Sequence, residues 1–379
     1  MKIYDYIIIG AGPSGLYTAK RLEEKYSDKS ISILILEKSR KVGGRTHQAR
    51  FHSRLVTTGA GVGRYPKDRL LMKSLLQVMP MFSIKPVHTR ICYQMSQPVD
   101  TLWYIQQLKE KKEWIQRHRS TFNFKQCFLH FFSASQYQRF CQSNGFTDFE
   151  RADIIDTLYD YGFEDNQNGR RFFYMPWNQW TSHLRTSLQK SKLLFHQTVV
   201  SVQRWDNDFF SIHTLQGYSY QTINVIYAGS LDVYPYLSIR KGIGYQPFLR
   251  LYSYSKTPRY STGTVYLDNR LQKTISLTKH IDLVSYSDNQ NAQKTVHSTK
   301  TEIEKLCGHP IDDWQAFYWE KGTHFYYPLD TSQFANRKEF IRLAQHPEPH
   351  VFLVGEVISK NQGWTEGALE SVEAILPEL

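Results

Sequence analysis

A glycine-rich turn near the start of this chain has residue types and spacing suited to holding a phosphorylated nucleotide. Gly10-Ala11-Gly12-Pro13-Ser14-Gly15 forms a G-x-G-x-x-G pattern. Gly10 permits a tight turn out of a strand, Gly12 lets the backbone approach a pyrophosphate, and Gly15 lets a helix pack close to a sheet. Free amides at the start of that helix then attract phosphate oxygens. The turn therefore predicts a dinucleotide site.

The elements that must position this turn lie on both sides of it. The apolar run Tyr4 to Ile9 predicts a buried strand, Leu16 to Tyr26 predicts a helix, and Ser32 to Leu36 predicts a second strand. Glu37 ends the second strand about 20 residues after the turn, where a carboxylate accepts hydrogen bonds from an adenosine ribose. Since a carboxylate repels a 2′-phosphate, the pattern favours FAD or NAD over NADP.

A second cluster, of glycines and basic residues, favours FAD over NAD as the bound nucleotide. Lys38 and Arg40 add positive charge, and Gly43-Gly44-Arg45 adds two glycines and a forked cation suited to phosphate oxygens. The run E-K-S-R-K-V-G-G-R resembles the extended FAD signature of the flavin-dependent amine oxidase family, which includes monoamine, polyamine and L-amino-acid oxidases. Protoporphyrinogen oxidase and phytoene desaturase share this signature, so it specifies FAD better than it specifies the substrate.

The end of the chain carries a second signature. Val351 to Val354 predicts a buried strand, Gly355-Glu356 ends it, and Gln362 to Ser371 opens a final helix. This pattern resembles the family's closing G-E…G-x-x-E-G-A-x-x-S element. The resemblance implies that Glu356 bonds the ribityl or phosphate region of FAD. It also implies that the helix N-terminus, with Thr365 as its cap and the small Ala368 nearby, faces the flavin N1–C2=O edge.

The resemblance extends to three internal segments. Val56 to Arg64 resembles a family turn that passes beside the isoalloxazine ring, with Gly59, Ala60 and Gly61 allowing close contact. Val199 corresponds to backbone near the adenine. A lysine on the substrate-domain sheet of the family holds a water near flavin N5. Lys273 is the candidate for that role here, and Lys279 and Lys256 are alternatives.

Trp319 to Pro328 resembles a family segment that lies near the flavin. The matching region of mammalian monoamine oxidases carries a cysteine bonded to the flavin, and this segment contains no cysteine. We therefore expect non-covalent FAD. Trp364 corresponds to one wall of an aromatic cage that orients the amine, and Phe325 or Tyr326 is the candidate for the other wall. His324 is interpreted as a packed histidine rather than a general base.

These motifs predict an α/β fold: a discontinuous Rossmann-type FAD-binding domain with an inserted α+β substrate domain. Residues 81–190 have helical spacing and few glycines, and residues 234–340 alternate as in a mostly antiparallel sheet. Turns are expected at Asp206-Asn207-Asp208 and at Gln216-Gly217. The predicted FAD-binding domain comprises 1–80, 191–233 and 341–379, and the predicted substrate domain comprises 81–190 and 234–340.

Composition narrows the functional classes. The chain has 379 residues, enough for two domains, and a formal net charge of +12. Because the charges are dispersed, they do not favour a nucleic-acid interface. The four cysteines form no C-x-x-C pair and no zinc pattern, so we expect free thiols, no metal site and a reducing compartment. A strand that starts at Tyr4 leaves no room for a signal peptide, and no apolar run spans a bilayer. A cytoplasmic protein without membrane attachment is expected.

The family resemblance implies an oxidase that acts on a small-molecule amine. Hydride transfer from the amine carbon to flavin N5 would give an imine, then an aldehyde, while molecular oxygen would yield hydrogen peroxide. Two alternatives remain open: another FAD oxidoreductase of the superfamily, such as a desaturase, a protoporphyrinogen oxidase or a UDP-sugar mutase, or a binding protein that keeps FAD without catalysis. The sequence leaves open which amine is used, the electron acceptor and the oligomeric state.

Overall fold

The computed structural model describes residues 2–95, 97–206, 209–259, 263–289 and 291–379. Asn207 and Asp208, two of the three residues in the first predicted turn, lie outside the described residues. The second predicted turn is confirmed, because Gly217 has a φ of +83° and its amide donates to the carbonyl oxygen of Thr214.

Strands occur along the whole chain. In chain order they are β1 (Ile3–Ile9), β2 (Ile33–Leu36), β3 (Gln48–Phe51), β4 (Arg54–Thr57), β5 (Val62–Arg64), β6 (Pro86–His88), β7 (Ile91–Gln94), β8 (Arg171–Tyr174), β9 (Ser191–Leu194), β10 (Val199–Asp206), β11 (Phe209–Thr214), β12 (Ser219–Tyr227), β13 (Ile243–Tyr254), β14 (Thr264–Leu267), β15 (Lys273–Ser276), β16 (Ile281–Ser287), β17 (Asp313–Tyr326) and β18 (Val351–Leu353).

Helices concentrate between the strand-rich regions and at the two ends of the chain. They are α1 (Pro13–Lys25), α2 (Arg69–Val78), α3 (Thr101–Lys109), α4 (Lys112–His118), α5 (Phe124–Phe131), α6 (Ala134–Asn144), α7 (Ile154–Asp160), α8 (Trp177–Thr186), α9 (Leu237–Lys241), α10 (Asn291–Val296), α11 (Lys300–Cys307), α12 (Arg337–Gln345) and α13 (Thr365–Ile375). Among the described residues, none of these helices combines the length and apolar character needed to cross a bilayer.

One sheet joins the two ends of the chain. Its parallel strands lie in the order β9-β2-β1-β12-β18, and β10 and β11 extend it with antiparallel pairing next to β12. Ile7 and Ile8 of β1 are fully buried and face opposite sides of the sheet. Ile8 packs with residues of α1 and α13, and Ile7 packs with residues of α12 and the end of β17. Because both faces are covered, the strands are continuous apolar runs.

A second sheet carries the remainder of the candidate site. Its order is β17-β13-β16-β15-β14-β7, and all of its pairs are antiparallel except β14 with β7. The sheet is thus mostly antiparallel, as the alternation predicts. Helices α3 to α7 form a separate core rich in phenylalanine beside it. Strands β6, β7 and β8 lie within residues 81–190, for which the sequence predicts helices. Each strand is too short to show the two-residue alternation of a β-strand, so the sequence pattern does not predict it.

The first residue of α1 and the N-cap of α13 differ from the predictions. The first helix begins at Pro13 rather than Leu16, because proline at the first helical position needs no amide partner. The last helix begins at Thr365, so the prediction that Thr365 caps it is wrong. The cap residue is Trp364, whose side chain makes no capping hydrogen bond. The segment from Phe172 to Trp180 is rich in aromatic residues, of which Phe173, Trp177 and Trp180 are buried in the core, whereas Tyr174 is exposed.

Candidate cofactor and active site

The glycines of the first turn have different surroundings. Gly10 has a φ of +110°, which favours glycine. A side-chain Cβ at Gly15 would lie 1.9 Å from the carbonyl oxygen of Gly10, so only glycine allows this helix to approach the strand. A Cβ at Gly12 would meet no heavy atom within 4 Å. Gly12 therefore borders open space, as the approach of a pyrophosphate requires.

The second glycine cluster packs directly on the first. The amide of Gly43 donates to the carbonyl oxygen of Ala11 at 2.9 Å, and a Cβ at Gly44 would lie 3.6 Å from the α-carbon of Gly12. Pro13 opens α1, whose N-terminus has no side-chain cap, and the Ser14 hydroxyl donates to the carbonyl oxygen of Ala228. The first-turn amides of α1 thus keep their capacity to bind an anion.

Glu37 is positioned by three hydrogen bonds. Its carboxylate accepts from the amide of Ala11 at 2.8 Å and from the amide and hydroxyl of Ser39 at 2.8 and 2.7 Å. A carboxylate has about four acceptor sites, so one remains for a ribose hydroxyl. Lys38 and Arg40 are exposed beside it. Gln197, two residues before the buried Val199, donates its amide to the Glu37 carbonyl oxygen, which places the predicted adenine segment next to this acid.

Glu356 connects the two ends of the chain. Its Oε1 accepts from Arg45 at 2.6 Å and lies 2.5 Å from Nδ1 of His324, and its Oε2 accepts from the amide of Gly363 at 3.0 Å. Burial alone would raise the pKa of Glu356, but His324 and Arg45 lower it far below its ordinary value. Glu356 is therefore a charged, buried carboxylate that fixes Arg45 and His324.

The closing signature meets the opening one. Gly355 has a φ of +131°, and its Cβ would lie 3.8 Å from the hydroxyl of Ser14 in α1. Its amide donates to the hydroxyl of Ser371 at 2.8 Å. Helix α13, which contains the buried Ala368, also lacks a side-chain cap. The first turn of α1 and the middle of α13 therefore lie on either side of Gly355, and the approach of the α13 N-terminus to a flavin edge stays a prediction.

The third glycine segment is held against the second. A Cβ at Gly59 would lie 2.1 Å from the carbonyl oxygen of Arg45, and the same oxygen accepts from the amide of Ala60 at 3.0 Å. A Cβ at Gly61 would lie 3.6 Å from the ring of Tyr286. The backbone of Arg45 therefore leaves room only for a residue without a side chain at position 59. On the other side of the turn, Gly61 lies next to the ring of Tyr286 in β16.

Lys273 is the buried member of the three candidate lysines, whereas Lys279 and Lys256 are exposed. Its Nζ lies 3.4 Å from the ring centre of Phe146 and 4.3 Å from that of Tyr286, the ring that also contacts Gly61. Burial, together with the neighbouring Arg250, lowers the pKa of Lys273 to about 7, against the opposing effect of Asp288 and Asp148. Lys273 can therefore be neutral near physiological pH.

The aromatic cage residues have unequal surroundings. The ring of Trp364 lies 4.2 Å from the guanidinium carbon of Arg64. Phe325 is buried, and Tyr326 belongs to the core, where its hydroxyl donates to the carbonyl oxygen of Ser359 at 3.0 Å. Their pairing with Trp364 around an amine stays a prediction, and the contacts of Tyr326 are those of a structural residue.

Sequence reasoning missed several residues of this region. They share burial or a bond to a predicted residue rather than a motif: Ser39, Asp148, Arg250, Asp288 and Thr323. Arg250 donates to the carbonyl oxygen of Gly59 at 3.0 Å and is paired with Asp288. The signal that could have found Arg250 is a lone arginine within an apolar strand, because a buried charge is retained only with a partner.

Comparison with known proteins gives a family match over residues 8–69 and structural alignments over the whole chain. Residues 8–69 match a family model described as an NAD(P)-binding Rossmann-like domain. The structure of a putrescine oxidase bound to putrescine aligns with a TM-score of 0.76 at 13% identity, covering 100% of this chain and 99% of that one. This chain has the FAD-binding amine oxidase fold. A variant from a redesign of cofactor binding in putrescine oxidase aligns equally well, over 99% and 98% of the two chains at 13% identity.

The same fold occurs in a protein with another activity. A CLA-producing fatty acid isomerase from P. acnes aligns with a TM-score of 0.72 at 16% identity, over 99% of this chain and 98% of that one. The fold that this chain shares with these structures therefore does not specify a substrate.

The residues of this fold fit FAD. Gly12 borders open space, both helix N-termini lack side-chain caps, and Glu37 retains an acceptor site. The hydroxyl of Thr323 is buried without a hydrogen-bond partner among the described residues, beside Gly363. An orphaned hydroxyl next to the approach to α13 is consistent with a polar ring edge as its partner.

Proposed function

We propose that this protein is an FAD-dependent amine oxidase. One observation carries the proposal: three separated glycine segments and the buried Lys273 lie close together. Arg45 connects the second glycine segment with the third, and Tyr286 connects the third segment with Lys273. When bound, FAD supplies the two-electron acceptor for oxidation of a C–N bond. The redox chemistry is thus the cofactor's, and the protein supplies binding, orientation and the proton environment.

The chain's own residues have distinct roles in this proposal. The α1 amides and Arg45 bind the phosphates, Glu37 binds the ribose, and the α13 N-terminus stabilises negative charge on the flavin. Lys273, whose pKa is lowered, holds a water or accepts a proton from the substrate amine, because a neutral lysine side chain in an apolar site is a competent base. Trp364 restricts the orientation of the amine beside the ring.

An absorption spectrum of the purified protein, before and after acid precipitation, tests the cofactor assignment. We expect flavin bands and their full release into the supernatant, because the Trp319-to-Pro328 segment contains no cysteine that could bond the flavin. Flavin that stays in the pellet would contradict non-covalent binding. A colourless protein that cannot be reconstituted with FAD would overturn the proposal.

Anaerobic addition of a panel of amines tests the reaction. Bleaching of the flavin by an amine, and hydrogen peroxide once air is admitted, are the expected results. Flavin that no amine reduces would contradict amine oxidation. In that case an unsaturated fatty acid is the next probe, because the fatty acid isomerase has the same fold.

A Lys273→Met variant is expected to slow amine-dependent flavin turnover by roughly tenfold or more. The substitution removes the one lysine of the three candidates, Lys273, Lys279 and Lys256, that is buried. Stopped-flow measurement of flavin bleaching and reoxidation gives both rates. Lys256→Met, at an exposed lysine, is the matched control and should keep wild-type rates. Equal rates in both variants would remove Lys273 from the mechanism.

A further inference from the structure

The amine of Lys273 is enclosed by aromatic rings. Lys273 begins β15, and Tyr266 lies directly opposite it on β14. The Nζ lies 3.4 Å from the ring centre of Phe146, 4.3 Å from that of Tyr286 and 5.8 Å from that of Tyr266. The residue is 6% exposed. Rings from three separate segments of the chain therefore replace most of the water around this amine.

The two carboxylates that act on this amine are already bonded to other groups. Asp288 accepts from the guanidinium of Arg250, and Asp148 accepts from the hydroxyl of Tyr161 at 2.5 Å. Within the described residues, the Nζ of Lys273 donates no hydrogen bond and has no carboxylate within the 4.0 Å of an ion pair. An ammonium at this position therefore lacks the partner that a buried charge requires.

These surroundings favour the neutral form of the amine. Burial and the neighbouring Arg250 lower the pKa of Lys273 to about 7, against the opposing effects of Asp288 and Asp148. An ordinary lysine, with a pKa of about 10.4, is neutral at pH 7 in only about four molecules in ten thousand. A neutral, desolvated lysine amine is the nucleophile that forms Schiff bases with carbonyl compounds.

The enclosure is open on the side of the third glycine segment. Phe146, Tyr286 and Gly61 are half-buried rather than buried, and a Cβ at Gly61 would lie 3.6 Å from the ring of Tyr286. The Nζ of Lys273 also keeps accessible surface of its own. Under the proposed function an aldehyde forms beside this glycine segment, and its carbonyl group is therefore released next to the amine.

We propose that Lys273 is a covalent binding site for aldehydes, at which the lysine amine and the carbonyl carbon form a Schiff base. The lone pair of Nζ attacks the carbonyl carbon while the π bond of the carbonyl group opens. Both protons of the amine pass to the carbonyl oxygen, which leaves as water when the C=N bond forms. The step needs no oxidant or reductant, and the addition of water reverses it. The proposal rests on the proposed function only for the source of the aldehyde.

The surroundings indicate which aldehydes bind. Phe146, Tyr266 and Tyr286 offer apolar surface, and the charges of Arg250 and Asp288 are paired with each other. An aldehyde with an apolar chain therefore fits this enclosure better than a charged one. An aldehyde product held in this way would slow further turnover until water releases it.

Reductive trapping with pentanal and sodium cyanoborohydride tests the proposal on the purified protein. The reductant converts a Schiff base into a stable secondary amine, and peptide mapping by mass spectrometry locates it. At pH 7 we expect Lys273 to be labelled at least tenfold faster than the exposed Lys256. The ratio of the two rates should fall at least tenfold between pH 7 and pH 9, because the neutral fraction of an ordinary lysine rises steeply over this range while that of Lys273 is already large.

Two variants are matched controls. Lys273→Arg should lose the fast label, because a protonated guanidinium is not a nucleophile, and Lys256→Met should keep it. Labelling of Lys273 no faster than that of Lys256, or a ratio that does not change with pH, overturns the proposal. Because both lysines are compared within the wild-type protein, the result holds even if a variant fails to fold.

The outcomes separate the aldehyde site from the oxidase. Fast trapping of pentanal at Lys273, in a protein whose flavin no amine reduces, would keep the aldehyde site and reject the oxidase. Flavin bleaching by amines without fast labelling of Lys273 would keep the oxidase and reject the aldehyde site.

Discussion

A Gly12→Val variant is expected to fold like the wild type and to lose FAD. Gly12 has a φ of −74°, which any residue adopts, and a Cβ there meets no heavy atom within 4 Å. The valine methyl groups therefore fit the protein but fill the space through which a pyrophosphate approaches the α1 amides. We expect the dissociation constant for FAD to rise at least a hundredfold, which corresponds to about 2.7 kcal/mol.

Fluorescence titration of the apoprotein with FAD measures this loss, and circular dichroism with thermal melting checks the fold. Gly12→Ala should give an intermediate affinity. Gly15→Val provides the opposite control: its Cβ would clash with the Gly10 carbonyl oxygen at 1.9 Å, so it should unfold the βαβ unit itself. Wild-type FAD affinity in Gly12→Val would show that the nucleotide lies elsewhere.

A Glu356→Gln variant is expected to destabilise the protein by about 3 kcal/mol and to weaken FAD binding. Glutamine keeps the volume of the side chain but removes the charge that pairs with Arg45 and accepts the contact with His324 in a buried environment. Breaking one side of a buried ion pair costs about 3–5 kcal/mol, and the lower end applies because the amide oxygen still accepts a hydrogen bond. Denaturant unfolding at pH 7 measures the difference.

The effect of Glu356→Gln should depend on pH. Because the pKa of Glu356 is lowered in the folded protein, its charge contributes stability above the unfolded value of about 4.3 and loses that contribution as pH falls below it. The difference between variant and wild type should therefore shrink at acid pH. Glu164→Gln, which removes an exposed partner of Lys67, should cost at most about 1 kcal/mol. Equal losses in the two variants would contradict the role assigned to Glu356.

Local motifs mark the candidate nucleotide site because the binding of a pyrophosphate depends on backbone. A glycine is required wherever another backbone approaches, and such requirements appear in the sequence as fixed spacings. The contacts of Gly43 with Ala11 and of Gly44 with Gly12 join segments that the sequence already marks. The apolar runs on either side likewise predicted the parallel sheet and the final helix.

Three features were decided by tertiary structure alone. The sequence names Lys273 as the candidate lysine, but its burial, which distinguishes it from Lys279 and Lys256, depends on packing that no local pattern encodes for a single charged residue. The ion pairs of Glu356 with Arg45 and of Arg250 with Asp288 join residues far apart in the chain. A cavity of about 60 Å³ is lined by residues of α7 and of the end of β17, which lie far apart in the chain. Amino-acid sequence determined which backbone segments form the candidate nucleotide site, because a close backbone approach demands glycine at fixed spacings, whereas long-range packing determined which charged side chains are buried beside it.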